Sequence, residues 1–216
     1  MVKILTNTLL FLSVVTFNVW AQSPNEKEHE CLSFVAVLPV MGDPRMTELA
    51  RKEEIYEKGG SSIILKEIQS LADEGIPYAL LSLGALYESG YCVKKDELKA
   101  SSLYKRAAER GSVQAQYQLG LMQTDCTQRI NWWEQAAEQG YGDAQTNLAH
   151  LYRAGCQGIS KDPIRALMWY TIRGITLLSQ GFAPYELDEF TRGMTPAQIA
   201  EADRLAHEWI NKRSHK

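Results

Sequence analysis

Two side chains in this sequence have the types and spacing of a nucleophilic active site. Ser102 and Lys105 form a Ser-x-x-Lys pair, the motif in which serine penicillin-recognising enzymes carry their nucleophile. The Ser-Asp-Asn and Lys-Thr-Gly motifs that complete such a site do not occur in the chain. Lys105 also fits a solvated helix position beside Ala107 and Ala108. A periplasmic hydrolase of cell-wall or β-lactam substrates that uses Ser102 and Lys105 is therefore the alternative function, and we predict a protein that is not an enzyme.

The histidines and cysteines do not form a recognisable metal motif. His207 and Glu208 begin the His-Glu-x-x-His zinc motif, but Asn211 occupies the position of its second histidine. None of the four histidines has a second His, Cys or carboxylate at a convincing ligand spacing, and no Cys-x-x-Cys pair occurs. We predict no metal, no cofactor and no catalytic residue.

Composition and charge narrow the class of partner. The 216 residues include 23 Lys and Arg against 26 Asp and Glu, a net charge of −3. A nucleic-acid-binding protein needs a basic face, so this balance argues against DNA or RNA as a partner. The length suits one compact domain or one short repeat array.

The first 21 residues have the order of a secretory signal peptide. Lys3 precedes an apolar run over residues 4–19, and Ala21 closes a small-x-small pattern before a polar stretch. We predict cleavage after Ala21, a periplasmic or secreted location and no stable membrane insertion of the mature chain. The alternative is an uncleaved membrane anchor, for which the apolar run is short.

Two short patterns recur between Gly75 and Gly181 and indicate paired helices. The first is Leu followed by a small residue, and the second is an aromatic residue three positions before Ala-Ala. Self-similarity with a period of 30–40 residues is typical of stacked repeats, and the small residues let the two helices of a pair approach closely. The copies of the first pattern are Leu83-Gly84, Leu119-Gly120 and Leu148-Ala149, and those of the second are Tyr104-x-x-Ala107-Ala108 and Trp133-x-x-Ala136-Ala137.

The termini of these helices carry their own signals. Asp96 and Asp162 are predicted N-caps, with Pro163 in a first turn. Gly111 and Gly140 follow helices where a left-handed residue is favoured.

The run from Ala85 to Gly111 resembles the Sel1-like repeat (SLR) family, relatives of the tetratricopeptide (TPR) repeats. The resemblance implies an all-α fold, an α/α solenoid of about three helix pairs, and a role as adaptor or scaffold for other proteins. The second repeat is shorter than the pattern, with 13 positions from Gly120 to Trp133 against 20 from Gly84 to Tyr104. The third repeat lacks the Ala-Ala doublet.

Flanking segments complete the predicted architecture. Residues 22–74 are predicted as N-terminal helices over 44–58 and 61–73, the second being half of a degenerate leading repeat with an apolar stripe of Ile63, Leu65, Ile68 and Leu71. Residues 75–181 contain the repeats. Residues 182–216 are a loop, with an acidic turn at 186–189, followed by a capping helix that starts at a capping box over 195–198.

Four cysteines in an exported chain suggest two disulfides, with free thiols as the alternative. Cys92, Cys126 and Cys156 fall eight, six and seven residues after Gly84, Gly120 and Ala149, which predicts equivalent loops between helices. Only neighbouring loops can be bridged without moving the backbone. If Cys31 belongs to the leading unit, the pairing is Cys31–Cys92 with Cys126–Cys156.

A binding surface follows from the expectation that the first helices of the pairs line the concave face of such a solenoid. The side chains on that face are predicted to be Gln114, Gln118, Leu121, Asp143, Asn147 and His150. Aromatic residues before the doublets, Tyr104, Trp133 and Tyr170, are assigned to the core. Trp132 cannot face the same core as Trp133, so it is either an exposed anchor for a partner or a filler of space left by the short loop.

The sequence thus predicts an exported, monomeric protein-protein interaction scaffold. Three uses remain open: an adaptor in an envelope assembly, a virulence-associated factor that contacts a host protein, and an immunity protein that neutralises a toxin.

Overall fold

A computed structural model describes residues 60–179 and 187–214. In these ranges the regular secondary structure is α-helical, apart from a single isolated β-bridge between Cys156 and Ile159. The described chain belongs to two compact units that divide after Arg106. The helices are α1 Gly60–Asp73, α2 Pro77–Ser89, α3 Glu97–Glu109, α4 Val113–Met122, α5 Cys126–Glu138, α6 Gly142–Ala154, α7 Pro163–Ser179, α8 Leu187–Thr191 and α9 Pro196–Ser214. Among them, none has both the length and the apolarity needed to cross a bilayer.

In the first unit, α1 packs against α2, and a glycine of α2 makes room for an aromatic ring of α3. A Cβ on Gly84 would lie 2.7 Å from the ring of Tyr104, which is buried. The Tyr104 hydroxyl donates a hydrogen bond of 2.6 Å to Glu88 Oε2. The helix-pair geometry expected from the Leu-Gly pattern is therefore present.

The buried stripe of α1 shares two of its four residues, Ile68 and Leu71, with the predicted stripe, and the predicted Leu65 is half-buried. Ile63 is 43% exposed, whereas its neighbour Ile64 is buried together with Ile68, Leu71 and Ala72. These four positions have the i, i+4, i+7, i+8 spacing of one helical face, so the assignment of Ile63 to this stripe was wrong.

In the second unit, successive helices from α4 to α7 pack against one another, and α7 also packs against α8 and α9. Ala136, Ala137 and Ala149 are fully buried at these contacts, as the repeat pattern predicts. The C-terminal helix closes this core through Trp209, whose ring lies edge-on to Trp169 at 5.9 Å.

Side-chain caps fix where several helices begin. Asp96 Oδ1 accepts a hydrogen bond from the Lys99 amide (3.0 Å), and Asp162 Oδ1 accepts one from the Arg165 amide (2.9 Å), as predicted. At α9, the amide of Thr195 donates to Gln198 Oε1 (2.9 Å) and the amide of Gln198 donates to Thr195 Oγ1 (3.3 Å). This reciprocal pair is the predicted capping box.

At the end of the repeat region, Tyr170 packs against the core as predicted but is half-buried, whereas Trp169 is the buried aromatic of α7. Helix α7 packs against both α6 and α9. The prediction of a loop after α7 was wrong. The segment predicted as a loop with an acidic turn contains α8, whose Phe190 stacks on Tyr170 at 4.2 Å.

The three described cysteines are disulfide-bonded, and one of them lies elsewhere than predicted. Cys126 and Cys156 form a disulfide with a Cα–Cα distance of 6.3 Å, as predicted, and Cys92 is also disulfide-bonded. Cys126 is the first residue of α5 rather than a loop residue, because the short second repeat leaves only residues 123–125 between α4 and α5. The predictions for residues 1–21, for Cys31 and for a helix over 44–58 lie outside the described residues.

Candidate functional site

Three of the predicted binding residues share one face of α6. Asp143, Asn147 and His150 have i, i+4, i+7 spacing. Asp143 and His150 are exposed, and Asn147 is half-buried. The Nδ2 atom of Asn147 donates a hydrogen bond of 3.0 Å to the hydroxyl oxygen of Tyr117 on α4. This bond joins the polar face of α6 to the neighbouring first helix.

The other predicted residues, Gln114, Gln118 and Leu121, follow the same spacing along α4. Leu121 is 46% exposed, and the two glutamines are half-buried. The α4–α6 strip is defined here as these three residues together with Tyr117, Asp143, Asn147 and His150.

Tyr117 is the member of the strip that the sequence analysis missed. Its ring packs against Trp133 at 6.3 Å and Tyr141 at 5.0 Å. Burial raises the pKa of Tyr117, the hydrogen bond from Asn147 lowers it, and the carboxylate of Asp143 raises it. The hydroxyl thus accepts a hydrogen bond from Asn147 and lies in the electric field of the Asp143 carboxylate. The sequence signal that could have identified Tyr117 is its position four residues before Leu121, which places both on one face of α4.

Trp132 is not on either helix of the strip. It lies on α5 and is half-buried, whereas its neighbour Trp133 is buried and donates a hydrogen bond from Nε1 to the Tyr117 carbonyl (3.3 Å). Trp133 occupies the space that a side chain at Gly120 would need.

A cavity of about 260 Å³ lies beyond the His150 end of the strip. The His150 ring is 5.5 Å from the ring of Phe190, which forms part of the cavity wall. The wall combines charged and apolar side chains from α6, α7, α8, α9 and their connections, and its charged members are Arg153, Lys161, Glu189 and Arg192. No single stretch of sequence contains this combination, so pattern analysis does not detect it.

Of the three cationic side chains in the cavity wall, one forms an ion pair within the described chain and two do not. Arg153 forms an ion pair with Glu189, and its guanidinium lies 5.0 Å from the centre of the Phe190 ring. Lys161 and Arg192 are exposed, and within the described ranges their side chains form neither an ion pair nor a hydrogen bond. Among the described residues of its wall, the cavity therefore has more positive than negative charge.

The Ser-x-x-Lys pair has no supporting geometry. Ser102 and Lys105 are exposed residues of α3, and no hydrogen bond joins their side chains in the described chain. In the same ranges, no group of His, Cys, Asp and Glu residues is arranged to hold a metal. The structure does not support the hydrolase alternative.

Comparison with protein families matches four segments of the chain to the Sel1 repeat, at residues 77–112, 113–125, 130–141 and 142–172. These segments contain α2, α3, α4 and α6, all of α5 except its first four residues, and the first part of α7. The matched region therefore includes the α4–α6 strip.

Two curated proteins share sequence with this region. An uncharacterised protein of Neisseria meningitidis serogroup B is 31% identical over 86 residues, which is 39% of this chain and 18% of that protein. Chitin synthase regulatory factor 3 of Schizosaccharomyces pombe is 34% identical over 102 residues, which is 42% of this chain and 11% of that protein. The chain thus spans less than a fifth of the length of either relative.

Two solved structures are similar over about three quarters of the chain. One is a protective antigen of uropathogenic Escherichia coli strains that displays an SLR fold. Its TM-score is 0.54 at 26% identity, with 75% of this chain and 36% of that chain covered. The other, a Sel1 repeat protein from Oxalobacter formigenes, has a TM-score of 0.52 at 24% identity, with 74% and 78% covered. Both agree with the α/α solenoid fold class.

Proposed function

We propose that this chain, whose repeats between residues 77 and 172 belong to the Sel1 repeat family, is a scaffold that binds another protein along the α4–α6 strip. The observation that carries the proposal is the Asn147–Tyr117 hydrogen bond, which orders one polar face across two helices. A preordered face loses less conformational entropy when a partner binds. Leu121 adds an exposed apolar contact next to these polar groups.

The proposed setting is an exported one, periplasmic or secreted, with the scaffold acting as a monomer. The signal-like first 21 residues support export. The Cys126–Cys156 disulfide is typical of an oxidising compartment. A similar solved structure is a protective antigen of a pathogenic bacterium, which favours the virulence-associated use over the envelope adaptor and the immunity protein.

The proposal is tested by capturing the partner with a matched pair of variants. Leu121→Glu places a charge on the strip, and Leu98→Glu makes the same change at an 86% exposed position of α3. The chain, tagged at its C-terminus, is purified from its own cells and from the medium, and bound proteins are quantified by mass spectrometry.

We expect one stoichiometric partner that Leu121→Glu reduces about tenfold or more, equivalent to about 1.4 kcal/mol of binding free energy. Leu98→Glu should retain this partner. Equal recovery by both variants, or no partner above the background of untagged cells and medium, would contradict the proposal.

A further inference from the structure

We infer that the cavity lined by Lys161 and Arg192 receives an acidic side chain of the protein that binds the α4–α6 strip. This inference rests on the proposed function and adds the chemistry of the partner, a peptide segment with Asp or Glu beside an apolar residue.

Charge is the first argument for an acidic occupant. The cavity wall contains three cations, Arg153, Lys161 and Arg192, and one carboxylate, Glu189. Glu189 is already paired with Arg153. Asp162, next to Lys161 in sequence, accepts the Arg165 amide as a cap and lies 3.5 Å from the Arg165 guanidinium. Two cations are thus left for a carboxylate that the partner supplies.

The dimensions of the cavity suit an acidic side chain together with an apolar neighbour. Its volume of about 260 Å³ is below the ~300–1,000 Å³ of typical small-molecule pockets. Phe190 and Met194 add apolar surface to the wall. The methylene groups of a glutamate, or an adjacent apolar side chain, can pack there while the carboxylate meets Lys161 and Arg192.

The segments that carry the two cations are held in place. Lys161 follows a tight connection in which the Cys156 amide donates to the Ile159 carbonyl (3.0 Å) and the Ile159 amide donates to the Cys156 carbonyl (2.8 Å). The disulfide from Cys156 to Cys126 attaches this connection to the start of α5. Arg192 lies directly after α8, whose Phe190 is fixed by its stack on Tyr170.

The cavity is continuous with the strip through α6. His150 is the last strip residue, and Arg153 of the cavity wall follows it by three positions, so both lie on neighbouring parts of the helix surface. Phe190 contacts both side chains, with the His150 ring at 5.5 Å and the Arg153 guanidinium at 5.0 Å. A peptide that follows the strip along α6 therefore meets Phe190 of α8 at the His150 end, and Phe190 is itself part of the cavity wall.

The test selects peptides from a random phage-displayed library on the full chain and measures synthetic copies of the winners by fluorescence anisotropy. The cavity variant is Lys161→Gln with Arg192→Gln. The control variant, Lys66→Gln with Lys105→Gln, removes the same charge from exposed helix positions on α1 and α3.

We expect selected peptides to share Asp or Glu beside an apolar residue and to bind the cavity variant about tenfold more weakly, with the control variant unchanged. Replacing the peptide's Glu by Gln should weaken its binding to the wild type about tenfold but barely weaken its binding to the cavity variant. The peptide change and the cavity change each remove the same interaction, so their effects should not add. Added salt should weaken binding to wild type more than to the cavity variant.

The inference is overturned if no peptide is selected or if the selected peptides lack acidic residues. It is also overturned if inorganic phosphate is the one anion that binds, or if the cavity variant and the control variant lose peptide affinity equally. Peptides that Leu121→Glu releases and the cavity variant retains would also overturn it. In that last case the proposed function would stand, since its own test is the stoichiometric partner and the Leu121→Glu variant.

Discussion

Gly120 shows how one small residue sets the spacing of a helix pair. A side chain there would collide with the indole of Trp133, whose Nε1 donates to the Tyr117 carbonyl one turn earlier on α4. The same indole contacts the ring of Tyr117. A residue chosen for close packing therefore also positions the aromatic member of the α4–α6 strip.

The first prediction compares two helical glycines of the second unit. Gly120→Ala should lower the free energy of unfolding by about 1–3 kcal/mol, because a packed indole cannot move aside. Gly142→Ala should be close to neutral, since the three atoms nearest to its Cβ belong to the flexible guanidinium of Arg173. As the first residue of α6, this position also gains part of the ~1 kcal/mol by which alanine exceeds glycine in a helix interior. Urea unfolding measures both, and equal effects would refute the packing argument.

A buried hydroxyl gives the second prediction, a loss of stability in alkali. Tyr152 donates to Glu134 Oε1 (2.8 Å), and burial together with this bond raises the pKa of Tyr152 to about 12. Its protonated form is favoured by folding, so its contribution is complete below pH 10 and is lost as the pH rises towards 12. The urea midpoint should fall over this window, and less so in Tyr152→Phe.

The matched control for the alkaline effect is Tyr91→Phe, at a residue that is 39% exposed. Because burial is the main cause of the raised pKa of Tyr152, this substitution at an exposed tyrosine should change the alkaline fall less than Tyr152→Phe does. A Tyr152→Phe protein with the same fall between pH 10 and 12 as the wild type would exclude Tyr152 as a source of the loss.

At the scale of elements, the disulfide is the main covalent constraint between α5 and the connection from α6 to α7. Cys126 and Cys156 are separated by 30 residues. On the chain-entropy model, a loop of this length stabilises the folded state by about 3–4 kcal/mol. The third prediction is that Cys126→Ser with Cys156→Ser loses about this much in urea unfolding. An unfolding free energy of the double variant equal to that of the disulfide-bonded wild type would contradict this prediction.

How far the elements could be predicted depends on where their stability originates. Asp96, Asp162 and the capping box at 195–198 are local signals, and each helix begins where they indicate. Helix α8 has five residues and no periodicity to detect. Phe190 anchors it against Tyr170, a tertiary contact that local sequence does not encode.

At the scale of the whole molecule, tertiary packing also limits how far the α4–α6 strip and the cavity can be predicted from sequence. Helical spacing alone places Asp143, Asn147 and His150 on one face of α6, but the bond from Asn147 to Tyr117 depends on how α4 and α6 pack. The cavity is harder to predict from sequence, because Arg153, Lys161 and Arg192 come from three separate segments. Repeat patterns predict the scaffold, and tertiary packing determines what its surface offers.

The central claim, that a partner protein lies along the α4–α6 strip, is tested most directly by photo-crosslinking in the cells that produce the chain. Benzoyl-phenylalanine is placed at Gln118 or Asp143 on the strip, and at Leu98 or Glu138 as exposed controls on α3 and α5. The account predicts crosslinks to one and the same protein from both strip positions and none from the controls. Crosslinks to that protein from the controls alone, or none from either strip position, would contradict it.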